Sequence, residues 1–139
     1  MTGVAAAIPT MRYRDSRRMI GWLGEAFGFA PHLVVDAADG GVAHAQLTLG
    51  AAMIMLGDGG NHDGFDVHQA PADPAAPVCQ SPYLIVADVD AIHATAKAAG
   101  ATMVVDLHDP DYGGRAFSCR DPEGQLWNFG SYDPWKDAS

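Results

Sequence analysis

Apolar residues recur at helical spacing in two segments of the chain, and each segment has a recognisable start and end. The first helix is predicted to begin after Asp15 and Ser16, residue types that favour a helix N-cap, and to end at Gly28. Its apolar positions are Met19, Ile20, Leu23 and Phe27. The second helix is predicted over residues 88–99, an alanine-rich segment with an acidic N-cap that stops at Gly100.

Alternating or β-branched apolar segments predict strands on both sides of each helix. In the first half they are residues 5–14, 33–35, 42–49 and 51–56. In the second half they are residues 83–87, 103–107, 115–120 and 125–129. Each half is therefore strand, helix and three strands. The two helices start and stop about 72 to 73 residues apart, which indicates an internal repeat.

The residues between the halves, 57–82, are rich in Gly, Pro, Asp and Ala and are interpreted as a linker. A loop of this length is usually functional, and this one is a candidate cover for a binding site. We expect one domain over residues 1–139, with a first module at 4–57, a linker at 58–81 and a second module at 82–135.

Composition narrows the range of partners. The formal charge of −9 disfavours binding to nucleic acid, and no apolar run is long enough to span a bilayer. We therefore expect a soluble, cytoplasmic protein with no nucleic-acid or membrane partner. Cys79 and Cys119 lack a Cys-x-x-Cys spacing, so reduced thiols are expected rather than a disulfide or a zinc site.

A hairpin is predicted near the end of the chain. Asp-Pro-Glu-Gly at 121–124 suits a four-residue turn, because proline is second and glycine is fourth, and alternating segments flank it. Pairing across such a turn places Phe117 opposite Asn128 and Cys119 opposite Leu126.

Four segments together resemble the vicinal oxygen chelate superfamily, which includes glyoxalases, bleomycin-resistance proteins and extradiol dioxygenases. They are the helix that ends in Ala-Phe-Gly-Phe at 26–29, Ala-Ala-Met-Ile-Met-Leu at 51–56, Tyr-Leu-Ile-Val-Ala-Asp-Val-Asp at 83–90, and the 121–124 hairpin. The resemblance implies an α+β fold in which paired βαβββ modules form a cupped mixed sheet. It also implies a homodimer, because two chains often build the sites together.

In the metal-dependent members of that superfamily, four inward side chains from the first and fourth strands of each module hold a divalent ion. Carried over by register, these positions are Ile8, Met55, Pro82 and Asn128. None is His, Asp or Glu, the oxygen and nitrogen ligands that such an ion requires. We therefore expect neither a metal at these positions nor another cofactor.

Strand alternation extends these positions into a largely apolar lining, which suits an organic ligand. The predicted ligand-binding residues are Ile8, Thr10, Arg12, Met53, Met55, Leu84, Val86, Phe117 and Asn128. The alternative for the methionines, Leu84 and Val86 is plain core packing. Trp127 and Phe129 have the opposite parity and are expected to face the helices.

His44 and Gln46 alternate on the third strand, so both are expected on the cup face. His44 is the candidate proton acceptor, Gln46 a candidate for orienting a carbonyl, and Arg12 or Asn128 the candidate oxyanion partner. Alternatively, His44 is an ordinary hydrogen-bonded or surface histidine. The loop residues His62, Asp63, Asp66 and His68 have metal-ligand chemistry but no recognised spacing, which favours solvated turns.

Three functions remain open at this point. The first is metal-free binding of a small, mostly apolar or aromatic molecule by a homodimer. The second is a lyase, isomerase or epimerase that acts beside a carbonyl, either metal-free or with a non-standard metal site. The third is a structural module whose cup is filled by its own side chains.

Overall fold

In the computed structural model, residues 5–59 and 68–137 are described, and their eight strands form two four-stranded sheets. The elements are β1 Thr10–Tyr13, α1 Ser16–Phe27, β2 Ala30–Asp36, β3 Val42–Leu49, β4 Ala52–Asp58, β5 Tyr83–Ile85, α2 Val89–Ala98, β6 Thr102–His108, β7 Ala116–Arg120, β8 Leu126–Gly130 and α3 Pro134–Asp137. Among the described residues, no helix has the length and apolar character needed to cross a membrane.

The two sheets share one plan. The strand order is β1-β4-β3-β2 in the first and β5-β8-β7-β6 in the second. In each sheet the first strand pairs in parallel with the last, and the other neighbours are antiparallel. The internal repeat and the α+β class predicted from the sequence are therefore confirmed.

The chain divides into two compact units. The first unit comprises Met1–Gly21 and Phe29–Ala70, and the second comprises Trp22–Gly28 and Pro71–Ser139.

The predicted elements agree with the observed ones within a few residues, except at the first strand. That strand begins at Thr10 rather than at residue 5, so Ile8 precedes it and is 39% exposed.

Asp58 ties the beginning of α1 to the sheet of the first unit. Its Oδ1 accepts a hydrogen bond from the Ser16 amide at 2.9 Å, and its Oδ2 accepts one from the Val42 amide at 2.9 Å. Asp15 caps the same helix end, because its Oδ1 accepts from the Arg18 amide at 3.1 Å. The capping role predicted for this segment thus falls on Asp15.

Aromatic rings fill the core of the second unit. The Phe27 ring centroid lies 5.2 Å from that of Trp127 and 4.7 Å from that of Phe129. Trp22 and Phe117 continue the cluster, with centroids 5.3 Å from Phe27 and 5.2 Å from Phe129 respectively. The predicted packing of Trp127 and Phe129 toward a helix is confirmed.

The β7–β8 hairpin closes one residue tighter than expected. The Asp121 amide donates to the Gln125 carbonyl at 3.0 Å, which leaves a three-residue loop, and Gly124 adopts φ 93°. Ser118 therefore pairs with Asn128, and Phe117 pairs with Phe129. The predicted pairing of Phe117 with Asn128 is wrong, because a one-residue shift moves every side chain to the other face.

The predicted pairing of Cys119 with Leu126 is wrong for the same reason. Cys119 pairs with Trp127 and is completely buried. Burial, and secondarily the charge of Asp121, raises the pKa of its thiol to about 12.

Cys79 is exposed, so the two cysteines are expected to differ sharply in reactivity. At mildly alkaline pH, a disulfide reagent such as DTNB should label Cys79 rapidly in the native protein. Cys119 should react only after guanidinium chloride is added, because a thiol is attacked through its thiolate. Rapid native labelling of the Cys79→Ser variant would contradict the burial of Cys119.

Candidate functional site

One face of the first sheet gathers most of the polar residues predicted for function. Thr10 pairs with Met55, and Met55 pairs with Gln46, so the three side chains form a row across β1, β4 and β3. Arg12, two residues after Thr10 on β1, pairs with Gly57 on β4. His44 is two residues from Gln46 on β3 and therefore lies on the same face.

This face contains a cavity of about 140 Å³. Its lining residues are Thr10, Met11, Arg12, His44, Met55, Leu56 and His68. Four of them, Thr10, Arg12, His44 and Met55, are among the residues that sequence reasoning selected. The structure therefore brings these four together, although their predicted roles in binding or catalysis remain predictions.

Arg12 extends over its register partner, Gly57. A Cβ atom built on Gly57 would lie 2.8 Å from Arg12 Nη1 and 2.6 Å from the Ala43 carbonyl oxygen. Both distances are shorter than real Cβ contacts, so only glycine leaves room for the guanidinium at this point of the sheet.

His44 contacts the neighbouring inward residue on its own strand. Gln46 Nε2 lies 3.1 Å from His44 Nε2. An amide NH₂ can only donate, so His44 Nε2 is the acceptor in this contact and a neutral ring carries its proton on Nδ1. Gln46 therefore orients the imidazole, which gives it a positioning role that the sequence did not specify.

Sequence reasoning missed three of the lining residues, Met11, Leu56 and His68, of which only His68 has a polar side chain. It belongs to the loop after β4, and solvated turns were expected for its group; His62, Asp63 and Asp66 lie outside the described residues. Burial, and secondarily the nearby charge of Arg12, lowers the pKa of His68. The only sequence signal was the length of the loop, which marked it as a candidate cover.

Met53 and Ile8 were predicted to bind ligand, but neither residue lines the cavity. Met53 pairs with Thr48 on the same face as Met55 but does not line the cavity. Ile8 precedes β1 and is also absent from the lining. Leu33 and Val35, which were not selected, pair with Gln46 and His44 and are 44% and 43% exposed.

In the second unit, Asn128 is committed to a local hydrogen-bond network. Its Oδ1 accepts from Ser118 Oγ at 2.6 Å. Its Nδ2 donates to Ser81 Oγ at 2.7 Å and to the Pro82 carbonyl at 3.0 Å. The amide thus links β8 to β7 and to the residues that precede β5, and both of its donor hydrogens are used.

The predicted faces of Leu84, Val86 and Phe117 are wrong. Tyr83, rather than Leu84, pairs with Asn128, while Leu84 pairs with Phe129 and is buried. Val86 has the parity of Leu84 and lies beyond the end of β5. Phe117 stacks on Phe129 in the aromatic core. These three residues therefore do not share a face with Asn128.

The positions that hold a divalent ion in the resembling superfamily do not offer a suitable donor set. Ile8 and Met55 provide no oxygen or nitrogen, Pro82 has no polar side chain, and the Asn128 amide is engaged in its three hydrogen bonds. Across residues 5–59 and 68–137, no group of three His, Cys, Asp or Glu side chains is arranged to hold a metal. The residues present do not fit the ion.

Comparisons with known proteins agree with the fold. The profile of the Glyoxalase/Bleomycin resistance protein/Dioxygenase superfamily matches residues 6–129. No curated protein sequence matches the chain. Among solved structures, TioX from Micromonospora sp. ML1 is 30% identical over 91% of this chain and 98% of that chain, with a TM-score of 0.71.

Two more distant structures share the fold alone. The bleomycin resistance determinant encoded on the transposon Tn5 is 20% identical over 94% of this chain and 99% of that chain, with a TM-score of 0.66. The fosfomycin resistance protein FosX from Listeria monocytogenes, in complex with Mn(II), is 12% identical over 99% and 98%, with a TM-score of 0.70. Since the family profile covers most of its length, this chain belongs to the glyoxalase/bleomycin resistance protein/dioxygenase superfamily.

Proposed function

We propose that this protein binds a small, mostly apolar or aromatic organic molecule without the help of a metal ion. The observation that carries the proposal is the cavity of the first unit, where the Met55 side chain lies on the same face as Thr10, Arg12 and His44. A concave lining that combines an apolar side chain with a few polar groups suits a small organic ligand. The flexible thioether of Met55 also adapts to ligands of irregular shape.

The proposal includes a homodimer with the site at or near the interface between the chains. Its support is the exposed apolar surface of the first sheet, where Leu33 and Val35 share a face with His44 and Gln46. An apolar patch beside a binding site is typical of a surface covered by a partner.

The first experiment is native mass spectrometry of the purified protein, combined with metal analysis. We expect a dimer that contains no stoichiometric divalent metal, because the donor set does not fit one. Recovery of about one zinc, nickel, manganese or iron ion per chain would contradict the metal-free part of the proposal.

Ligand binding is tested with the neutral fluorescent probe N-phenyl-1-naphthylamine. We expect saturable binding with a Kd on the order of micromolar, and a loss of about tenfold or more in Met55→Lys, which places a charge in the lining. Val104→Lys is the matched control, because Val104 is 52% exposed and lies in the second unit. Equal affinity in Met55→Lys and the wild type would refute this location.

A second function, a lyase, isomerase or epimerase acting beside a carbonyl, is favoured by one observation. His44 and Arg12 line the same cavity, as a general base and an oxyanion partner would. To accept a proton, His44 Nε2 exchanges its hydrogen bond from Gln46 for the substrate. In this alternative, His44→Ala abolishes turnover while it leaves ligand binding intact. Unchanged turnover in that variant would exclude the role of His44 as the base.

A further inference from the structure

His68 reaches the cavity of the first unit from a loop rather than from the sheet. The other lining residues lie on β1, β3 and β4, whereas His68 belongs to the segment after β4. The residue is half-buried, and its imidazole is close enough to Arg12 for the guanidinium charge to act on it. The ring therefore lies at the edge of the cavity, where a change of rotamer brings it into solvent.

The two residues after His68 are packed against the end of β4. A Cβ atom built on Gly59 would lie 2.7 Å from Gln69 Oε1 and 3.7 Å from the Ala70 amide nitrogen. The Gly59 amide in turn donates a hydrogen bond to the Tyr13 carbonyl on β1 at 2.9 Å. Gln69 and Ala70 thus form a fixed point beside His68, and the imidazole can turn without rearranging them.

The charged and titratable groups around this ring offer no partner for an imidazolium. Arg12 on β1 is a cation, and His44 on β3 is the other titratable side chain of the described lining, which contains no carboxylate. β4 adds no titratable side chain to the lining. Asp58, at the end of β4, lies on the opposite face of the sheet, where both of its oxygens accept from backbone amides.

The two protonation states of His68 therefore differ in how well they fit the inward position. Burial, and secondarily the charge of Arg12, lowers the pKa of His68 from its ordinary value of 6.5, because both oppose the imidazolium. A ring that has turned into water is subject to neither effect. The inward position is fully favoured above the ordinary pKa, and it loses stability as the pH falls through that value and toward the lowered one.

We propose that His68 is a pH-dependent gate of the ligand cavity: its neutral ring lies inward and completes the lining, whereas the protonated ring turns into solvent and opens the cavity. The inference rests on the proposed function and adds a mode of regulation to the same site. Protonation and ligand binding then compete, so a ligand enclosed by the neutral ring is released at mildly acidic pH.

The test follows the binding of N-phenyl-1-naphthylamine, whose own charge does not change in this range, from about pH 7.5 to about pH 5. We expect the Kd of the wild type to rise about threefold or more as the pH falls. In His68→Gln, which keeps a polar but neutral side chain, the Kd should stay nearly constant. His44→Gln is the matched control, since it removes the other titratable ring of the lining and should retain the pH dependence.

The results of this titration bear on the gate separately from ligand binding. A wild-type Kd that does not change with pH overturns the gate and leaves the binding function intact. A pH dependence that persists in His68→Gln, or that disappears in His44→Gln, assigns the effect to another group and also overturns the gate. Failure of the probe to bind at any pH overturns the proposed function.

A second readout requires no ligand. With methionine methyl groups labelled with ¹³C, the effect of the soluble nitroxide TEMPOL on the Met55 methyl signal measures how open the cavity is. This effect should increase at acidic pH in the wild type but not in His68→Gln. Met19, which is completely buried, is the internal reference and should stay protected. Equal exposure of the Met55 methyl at both pH values would overturn the gate even if the probe does not bind.

Discussion

Replacing Asp121 with Ala is expected to lower the free energy of unfolding by about 3 kcal/mol, because several hydrogen bonds to one buried carboxylate are lost together. Asp121 Oδ1 accepts from the amides of Glu123 and Gln125, both at 3.0 Å. Its Oδ2 accepts from Trp127 Nε1, also at 3.0 Å. Urea-induced unfolding, followed by tryptophan fluorescence, measures the loss.

Two variants separate the contributions of this carboxylate. Asp121→Asn retains an oxygen that can accept from the two amides, but its NH₂ faces the indole N–H, so two donors meet. We therefore expect the free energy of unfolding to fall by less than in Asp121→Ala. Asp73→Ala is the matched control: Asp73 Oδ1 accepts from the Ala75 amide at 2.9 Å in an exposed loop, and its loss should cost less than about 1 kcal/mol. Equal effects of Asp121→Ala and Asp73→Ala would show that the buried network is not what stabilises the hairpin.

Replacing Gly57 with Ala is expected to destabilise the protein by about 2 kcal/mol, because the added methyl group has no room and the backbone must shift. The obstacle is the Ala43 carbonyl of the neighbouring strand, together with Arg12 Nη1. Since Arg12 must also move, the variant should lose affinity for any ligand that contacts the guanidinium. Thermal unfolding and titration with N-phenyl-1-naphthylamine measure the two effects.

Gly21→Ala provides a control of opposite sign. Gly21 lies within α1, and a Cβ atom built there meets nothing within 4 Å. Alanine in a helix interior is favoured over glycine by about 1 kcal/mol, so this variant should be more stable than the wild type. Destabilisation by both substitutions would mean that the space around Gly57 does not explain its effect.

The sequence predicted the elements well where the signal was local. Residues 42–49 were predicted as a strand with the observed bounds of β3, and Asp88 caps α2 by accepting from the Ala91 amide at 3.0 Å. Alternation also placed Thr10, Arg12, His44 and Met55 on one face, which the pairing of β1, β3 and β4 confirms. The strand and the helix cap depend on residues close together in the chain, whereas the shared face of β1, β3 and β4 also relied on the register of the resembling superfamily.

The errors concern the register between segments. A four-residue and a three-residue hairpin loop both suit Asp-Pro-Glu-Gly, and the choice between them moved Phe117 from the predicted pocket into the aromatic core. The faces of Leu84 and Tyr83 depend on the parallel pairing of β5 with β8, which no turn connects. His68 reaches the cavity through the path of a long loop, and local sequence patterns do not encode that path.

The hydrogen bonds of Asn128 restrict which side chains can replace it. A single substitution of Asn128 by Glu would introduce a metal-ligand side chain, but it would also place a carboxylate against the Pro82 carbonyl, which now accepts a hydrogen bond from the amide at 3.0 Å. Ser81 would lose its donor as well. Because these acceptors would face a carboxylate in place of a donor, Asn128→Glu alone is expected to destabilise the junction between β8 and residues 81–82. A carboxylate at position 128 therefore requires coordinated changes at residues 81 and 82 as well.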